Sequence, residues 1–317
     1  MRRKILFRAD AGQSIGYGHF IRTLALADML KNDFDCVFYT QEPSEYQKRE
    51  MEAVCPFRAL PADDTRFGLF LNQLEGDEIV VLDNYFYTTD YQKKIKEKGC
   101  KLVCIDDMHD KHYVADIVIN HGLVVKPDDF DCEPYTMLAL GANYILLRSP
   151  FLQPLKYKQR ENLVVVNFGG SDPYCFTEKV VSMLLEINVP YEITTILGDK
   201  TYLSEENKKG VRILRNLSAN QMADLFEVSA FGILPLSTVF LEAISRGLPL
   251  MTGYFADNQA EGYKIIENDG VFIPLGDFSS LTAERLESSI LKLHNFKVNI
   301  PDFTSVPRNF VSLFKRL

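Results

Sequence analysis

His19 stands directly behind a short run holding Gly12, Gly16 and Gly18, and Arg22 follows it by three residues. An imidazole changes charge near neutral pH, so it can accept or return a proton during a reaction. A guanidinium one helical turn later shares its face and favours an anionic ligand. The preceding run, Lys4 to Ala9, reads as a buried strand, and Phe20, Leu24, Ala27 and Leu30 recur at helical spacing, so His19 opens a helix. Unpaired N–H groups and the positive end of the helix dipole lie there, and glycines let a ligand approach the backbone. The pattern matches neither common nucleotide signature. Ile21 stands where the dinucleotide fingerprint needs a third small residue, and no Gly-Lys-Ser/Thr follows. The competing reading is a plain glycine turn with His19 on the helix surface.

A second set occurs in the other half. The strand-like Leu163 to Phe168 runs into Gly169-Gly170-Ser171-Asp172, and the strand-like Phe231 to Leu234 into Ser237-Thr238, with Glu242 one turn later. Helix-start amides and hydroxyls suit a phosphate, while Glu242 suits ribose hydroxyls. Ser237 or Thr238 could equally cap the helix, but a capping box would need an acid where Phe240 and Leu241 stand. Asp257, Asn258 and Gln259 follow a further apolar run; an Asx residue there can bind ligand or cap the next helix. Asp106, Asp107, His109 and His112 can be drawn as a metal site, yet four such residues in one loop read better as a solvated turn, and no metal is expected. His121 and His294 stand out in no way from surface residues.

The elements that must position these groups alternate between short apolar runs and helical stretches, the pattern of parallel sheets covered by helices. Strands are predicted at Lys4–Ala9, Cys36–Tyr39, Ile79–Asp83, Lys101–Asp106 and Asp116–Asn120, then at Leu163–Phe168, Glu192–Leu197, Val211–Leu214, Phe231–Leu234, Leu248–Thr252 and Val271–Ile273. Helices include His19–Lys31, Thr89–Lys98, Phe176–Glu186, Ser237–Ser245 and Gln259–Asn268. Strand, small-residue loop and helix thus open each half in the same way. Two Rossmann-like α/β domains follow, 1–150 and 151–317, facing one another with both loops at the carboxyl ends of their sheets.

The 317 residues suffice for two domains of about 150 residues. A hydrophobic share of 46%, with 25% charged residues, fits a folded chain without low-complexity tracts. The net charge of −8 offers no global field for a nucleic acid or an anionic membrane. No stretch nears the ~20 apolar residues of a membrane span, and the apolar run behind Met1-Arg2-Arg3-Lys4 is too short for a signal peptide. The six cysteines show neither zinc spacing nor a Cys-x-x-Cys pair, which suits a reducing, cytoplasmic setting.

Arg8-Ala9-Asp10 with Ile15-Gly16-Tyr17-Gly18-His19 and Arg22 resembles the signature of the UDP-2,4-diacetamido-2,4,6-trideoxy-β-L-altropyranose hydrolases of pseudaminic acid biosynthesis and of their spore-coat polysaccharide relatives. Further matches are Asp83-Asn84-Tyr85, Asp106-Asp107, Tyr144 with Leu147-Arg148, Phe168-Gly169-Gly170-Ser171-Asp172, Ser237-Thr238 with Glu242, and Ala256-Asp257-Asn258-Gln259. The chain departs from the pattern at Leu234-Pro235-Leu236, where relatives commonly carry small residues. The resemblance implies a GT-B fold with the nucleotide sugar in the cleft between domains. It also implies cofactor-free and metal-free hydrolysis at the anomeric carbon, giving UDP and a free sugar for surface-glycan synthesis. His19 is then the general base, with Asp10, Gly16, Gly18, Arg22 and Tyr85 around the sugar. Gly169, Gly170, Ser171, Ser237, Thr238, Glu242, Asn258 and Gln259 hold the nucleotide. The expected partner is a UDP-sugar, and the expected state a monomer. Transfer of the sugar to an acceptor, or nucleotide-sugar binding without catalysis, are the alternatives.

Overall fold

The computed structural model describes residues 2–12, 16–122, 125–157, 159–169, 172–198, 201–300 and 302–317, and only the backbone of Asp257 and Asn258. Gly170 and Ser171, two of the expected nucleotide ligands, lie outside the described residues. The apolar runs become strands β1 (Lys4–Ala9), β2 (Asp35–Gln41), β3 (Phe57–Leu60), β4 (Ile79–Asp83), β5 (Lys101–Ile105), β6 (Ile117–Asn120) and β7 (Met137–Leu140). The second set is β8 (Glu161–Val166), β9 (Glu192–Leu197), β10 (Val211–Arg215), β11 (Ser229–Pro235), β12 (Leu250–Tyr254) and β13 (Ile273–Asp277). Between and after them lie α1 (Gly18–Leu30), α2 (Glu45–Glu52), α3 (Thr65–Leu71), α4 (Thr89–Glu97), α5 (Phe176–Glu186), α6 (Ala219–Val228), α7 (Thr238–Ser245), α8 (Asp257–Ile266), α9 (Ala283–Lys292) and α10 (Val306–Phe314).

Among the described residues every pairing between these strands is parallel. Parallel strands are covered on both faces, which is why β4 and β6 are buried at every residue and read as unbroken apolar runs. The first sheet has the order β3-β2-β1-β4-β5-β6-β7 and the second β10-β9-β8-β11-β12-β13. In each, chain order reverses at one place, between β1 and β4 and between β8 and β11. Crossovers leave there to opposite sides, opening a crevice at the carboxyl ends of the strands where ligands bind in such sheets. Thus the glycine loop after β1 and Asp83 at the end of β4 share one switch point. The loop after β8 and the start of α7 after β11 share the other.

Two strands escaped the sequence reading. β3 and β7 are four-residue sheet edges with partly exposed side chains, so neither forms an apolar run.

The chain divides into two compact units, Met1–Ser149 with Phe303–Leu317, and Pro150–Asp302. Residues 303–317, expected within one continuous second domain, instead return to the first unit through α10. Phe314 packs its ring on Phe34 (6.2 Å between centroids) and Phe310 on Tyr144 (5.5 Å). Leu313 is buried there as well. Leu313→Ala is expected to cost about 2–3 kcal/mol of unfolding free energy, read from urea denaturation, because it empties apolar volume at this seam. No helix among the described residues is long and apolar enough to cross a membrane.

Candidate functional site

Asp83 ends β4 only 1% exposed, beside the start of α1, and α1 turns His19, Arg22 and Thr23 toward it. Its carboxylate accepts four hydrogen bonds. On Oδ1 these come from His19 Nδ1 (2.7 Å) and Arg22 Nη2 (2.6 Å). On Oδ2 they come from Arg22 Nε (2.7 Å) and the Thr23 hydroxyl (2.8 Å). Burial alone would raise the Asp83 pKa, but the charges and hydrogen bonds of Arg22 and His19 hold it well below the usual carboxylate range. Asp83 is therefore an acceptor only.

That fixes the tautomer of His19. A carboxylate that cannot donate requires the proton on Nδ1, so the neutral ring carries its lone pair on Nε2. Arg22 Nη2 also comes within 3.1 Å of Nδ1, but both are donors and meet only through their shared acceptor, Asp83 Oδ1. No hydrogen bond to Nε2 is made among the described residues. Tyr85, 45% exposed, sets its ring edge-on to His19 at 4.6 Å and an interplanar angle of 83°. His19, Arg22 and Tyr85, three of the residues singled out in the sequence, are thus brought together.

Arg22 continues to a second carboxylate, Asp107, through Nη1 and Oδ2 (2.8 Å). The Tyr85 hydroxyl donates to the same oxygen at 3.3 Å. Burial, then the charge of Asp107, push the Tyr85 hydroxyl above its ordinary pKa, so it stays a donor. Burial opposes ionisation of Asp107, yet Arg22 keeps it below the usual range. Burial likewise opposes the Arg22 charge, and Asp83 and Asp107 more than restore it.

The sequence reading missed Asp107 and His121 as members of this group. Parallel register explains both: Asp83 pairs with Ile105 and Ile105 with Ile119, so Asp107 and His121 lie two residues beyond neighbouring rungs on the same rim. His121 is buried, contrary to its surface reading, and the Leu146 amide donates to its Nδ1 at 3.4 Å. Burial, then the Arg22 charge, lower its pKa to about 4, so it is neutral.

Asp10 has a different place from the one expected. It is fully buried, and its carboxylate is occupied by the Arg8 guanidinium (Nη2 to Oδ2, 2.7 Å) and the Gln41 amide (2.8 Å). Its backbone exchanges hydrogen bonds with Asn84, 2.7 Å to Oδ1 and 3.2 Å from Nδ2. Asp10 therefore ties the ends of β1, β2 and β4 together. Gly12 and Gly16 close the loop through mutual backbone bonds of 3.4 and 2.8 Å, and Gly16 adopts φ +78°, which favours glycine. Gly18 begins α1, whose capping position, Tyr17, supplies no side-chain acceptor. Among the described residues the first-turn amides beside His19 have no side-chain cap, unlike those of α2, α4, α6 and α9, capped by Ser44, Thr88, Ser218 and Thr282.

In the second unit, Gly169 takes φ +84° and donates its amide to Asn167 Oδ1 (2.8 Å), while Asp172 caps α5 through the amides of Phe176 and Thr177. Ser237 occupies the capping position of α7 without capping it. Its hydroxyl turns to the Pro235 carbonyl (3.5 Å) and makes no cap bond to the first-turn amides. Glu242 lies one turn inside, buried. Gln259 folds back on the Phe255 amide at 3.2 Å. In the acidic loop, Asp106 accepts the Met108 and His109 amides, and His112 pairs with Asp131 and Glu133.

No protein-family model matches the chain. It is similar to the UDP-2,4-diacetamido-2,4,6-trideoxy-β-L-altropyranose hydrolase of Campylobacter jejuni, 27% identical over 226 residues, covering 68% of this chain and 76% of that protein. It is also similar to the spore coat polysaccharide biosynthesis protein SpsG of Bacillus subtilis, 22% identical over 284 residues, covering 84% and 82%. An uncharacterized protein of Methanocaldococcus jannaschii is 28% identical over 282 residues, 82% of this chain, and the match spans only 57% of that protein's length. Among solved structures, a UDP-glucosyltransferase from Polygonum tinctorium superposes with TM-score 0.61 at 12% identity, over 100% of this chain and 94% of that one. Arabidopsis thaliana UGT89C1 complexed with UDP gives 0.65 at 10% identity, over 100% and 94%. A UDP-N-acetylglucosamine 2-epimerase-like structure from Listeria monocytogenes gives 0.62 at 12% identity, over 100% and 96%. These likenesses show a GT-B fold, in keeping with the two parallel sheets.

Proposed function

We propose that the chain hydrolyses a UDP-linked amino or deoxy sugar at the anomeric carbon, releasing UDP and the free sugar for glycan synthesis. The observation that carries this reading is His19, whose Nδ1 is held by a saturated, buried Asp83, leaving Nε2 as the basic atom. Nε2 takes a proton from a water attacking the anomeric carbon, and Asp83 and Arg22 keep the ring in place. The leaving diphosphate is weakly basic and needs charge stabilisation more than a proton. The amides at Ser237 and Thr238 supply it in the second unit, where Glu242 accepts from the ribose. The first unit then acts on the sugar while the second holds the nucleotide. Similarity to the Campylobacter hydrolase supports the hydrolytic reading.

Incubation with a panel of UDP-sugars, with and without a sugar acceptor, tests the reading. UDP and free sugar in equal amounts without acceptor support hydrolysis. Turnover only with acceptor assigns transfer, and tight UDP binding without turnover assigns a binding protein. Glu242→Ala is expected to weaken UDP about tenfold in titration calorimetry, roughly 1.4 kcal/mol. An unchanged UDP affinity would take Glu242 out of the nucleotide site.

A further inference from the structure

Two carboxylates share one guanidinium beside His19, and their surroundings differ. Asp83 has donors on both oxygens, four in all. Asp107 has Arg22 and Tyr85 on Oδ2, while its Oδ1 is shut away from water and has no hydrogen-bond partner among the described residues. Leaving a carboxylate oxygen buried and unpaired is costly, and such groups in native proteins call for an explanation. Asp107 is held ionised by Arg22, so it cannot relieve the cost by taking up a proton.

We propose that Asp107 is a specificity-determining residue whose unused oxygen accepts a hydrogen bond from an N–H or O–H group of the sugar, so that the substrate class is a sugar carrying a donor, such as an acylamino group, within reach of His19. The side chain is 32% exposed although Oδ1 is covered, and the terminal torsion of an aspartate is soft, so a modest rotation presents Oδ1 to a ligand. Tyr85 donates to the other oxygen at 3.3 Å and packs on the His19 ring at 4.6 Å, so one tyrosine links Asp107 to the ring of the general base. A site built to accept a donor discriminates strongly against a ligand lacking it, because the buried acceptor is then left unpaired.

This inference rests on the hydrolase reading, and its test separates the two. The UDP-sugar turned over best in the panel is compared with its analogue in which the donor-bearing substituent is replaced by hydrogen, for the wild-type protein and Asp107→Asn. In the variant an amide N–H faces the incoming donor. KM for the donor-bearing substrate is expected to rise at least about tenfold with kcat changed less than about threefold, while KM for the deoxy analogue is the same in both proteins. Asp107→Ala, which removes the acceptor without adding a donor, gives the same pattern if the asparagine variant folds poorly. A fall in kcat with KM unchanged, or an equal loss with the deoxy analogue, overturns the proposal and leaves Asp107 as a support for Arg22. If the wild-type protein hydrolyses nothing, the hydrolase reading fails. Calorimetric titration of UDP-N-acetylglucosamine against UDP then decides the inference separately: Asp107→Asn weakening only the sugar-bearing ligand supports it, and equal affinities overturn it.

Discussion

Asp83→Asn is expected to lower the hydrolysis of the UDP-sugar by about 10⁴ in kcat, the scale seen when the carboxylate orienting a catalytic histidine is amidated. An asparagine can offer its amide N–H to His19 Nδ1, which moves the ring proton to Nε2 and removes the base. The substitution also breaks a buried ion pair, leaving Arg22 with only Asp107, so about 3–5 kcal/mol of stability should go with it. The pH dependence of that loss has a definite sign. Burial would raise the Asp83 pKa, yet Arg22 and His19 depress it far below the unfolded value of about 3.9. The stabilisation is therefore present above about pH 4 and disappears as the pH falls further. Urea denaturation from pH 7 down to pH 3 should show the wild-type protein losing stability over this range and the variant losing less. Equal slopes, with an unchanged kcat, would place Asp83 outside both roles.

His19→Ala is expected to reduce kcat by about 10²–10⁴, the usual worth of a positioned general base, while UDP affinity stays as it was. The variant removes only the proton acceptor; the nucleotide contacts assigned to Ser237, Thr238 and Glu242 belong to the other compact unit. Single-turnover release of UDP, alongside calorimetric titration of UDP, reads the two effects separately. Retained turnover would remove His19 from the mechanism. Lost UDP binding would mean that the first unit holds the nucleotide too.

The fold was legible where burial is continuous. β1, β4 and β9 and the helix α5 have the bounds expected from their apolar runs and helical spacing, because central parallel strands need apolar residues on both faces. Edge strands β3 and β7 carry no such pattern. Within the site, the spacing of His19 and Arg22 on one helix was visible. The carboxylates that orient them were not, since Asp83 is 64 residues from His19 and meets it only because β4 enters the sheet beside β1. His121 joins through strand adjacency two rungs away. Asp10 shows the opposite failure. The family resemblance implied a place around the sugar, but its buried oxygens are taken by Arg8 and Gln41.

The return of α10 to the first unit has a bearing on how the chain is made. A ribosome releases residues 4–140, with all seven strands of the first sheet, long before Phe303–Leu317 emerge to cover Phe34 and Tyr144. The second unit, Pro150–Asp302, is uninterrupted and can close as soon as it is synthesised. The unit begun first is thus completed last, when α10 comes to lie against α1, the helix that carries His19.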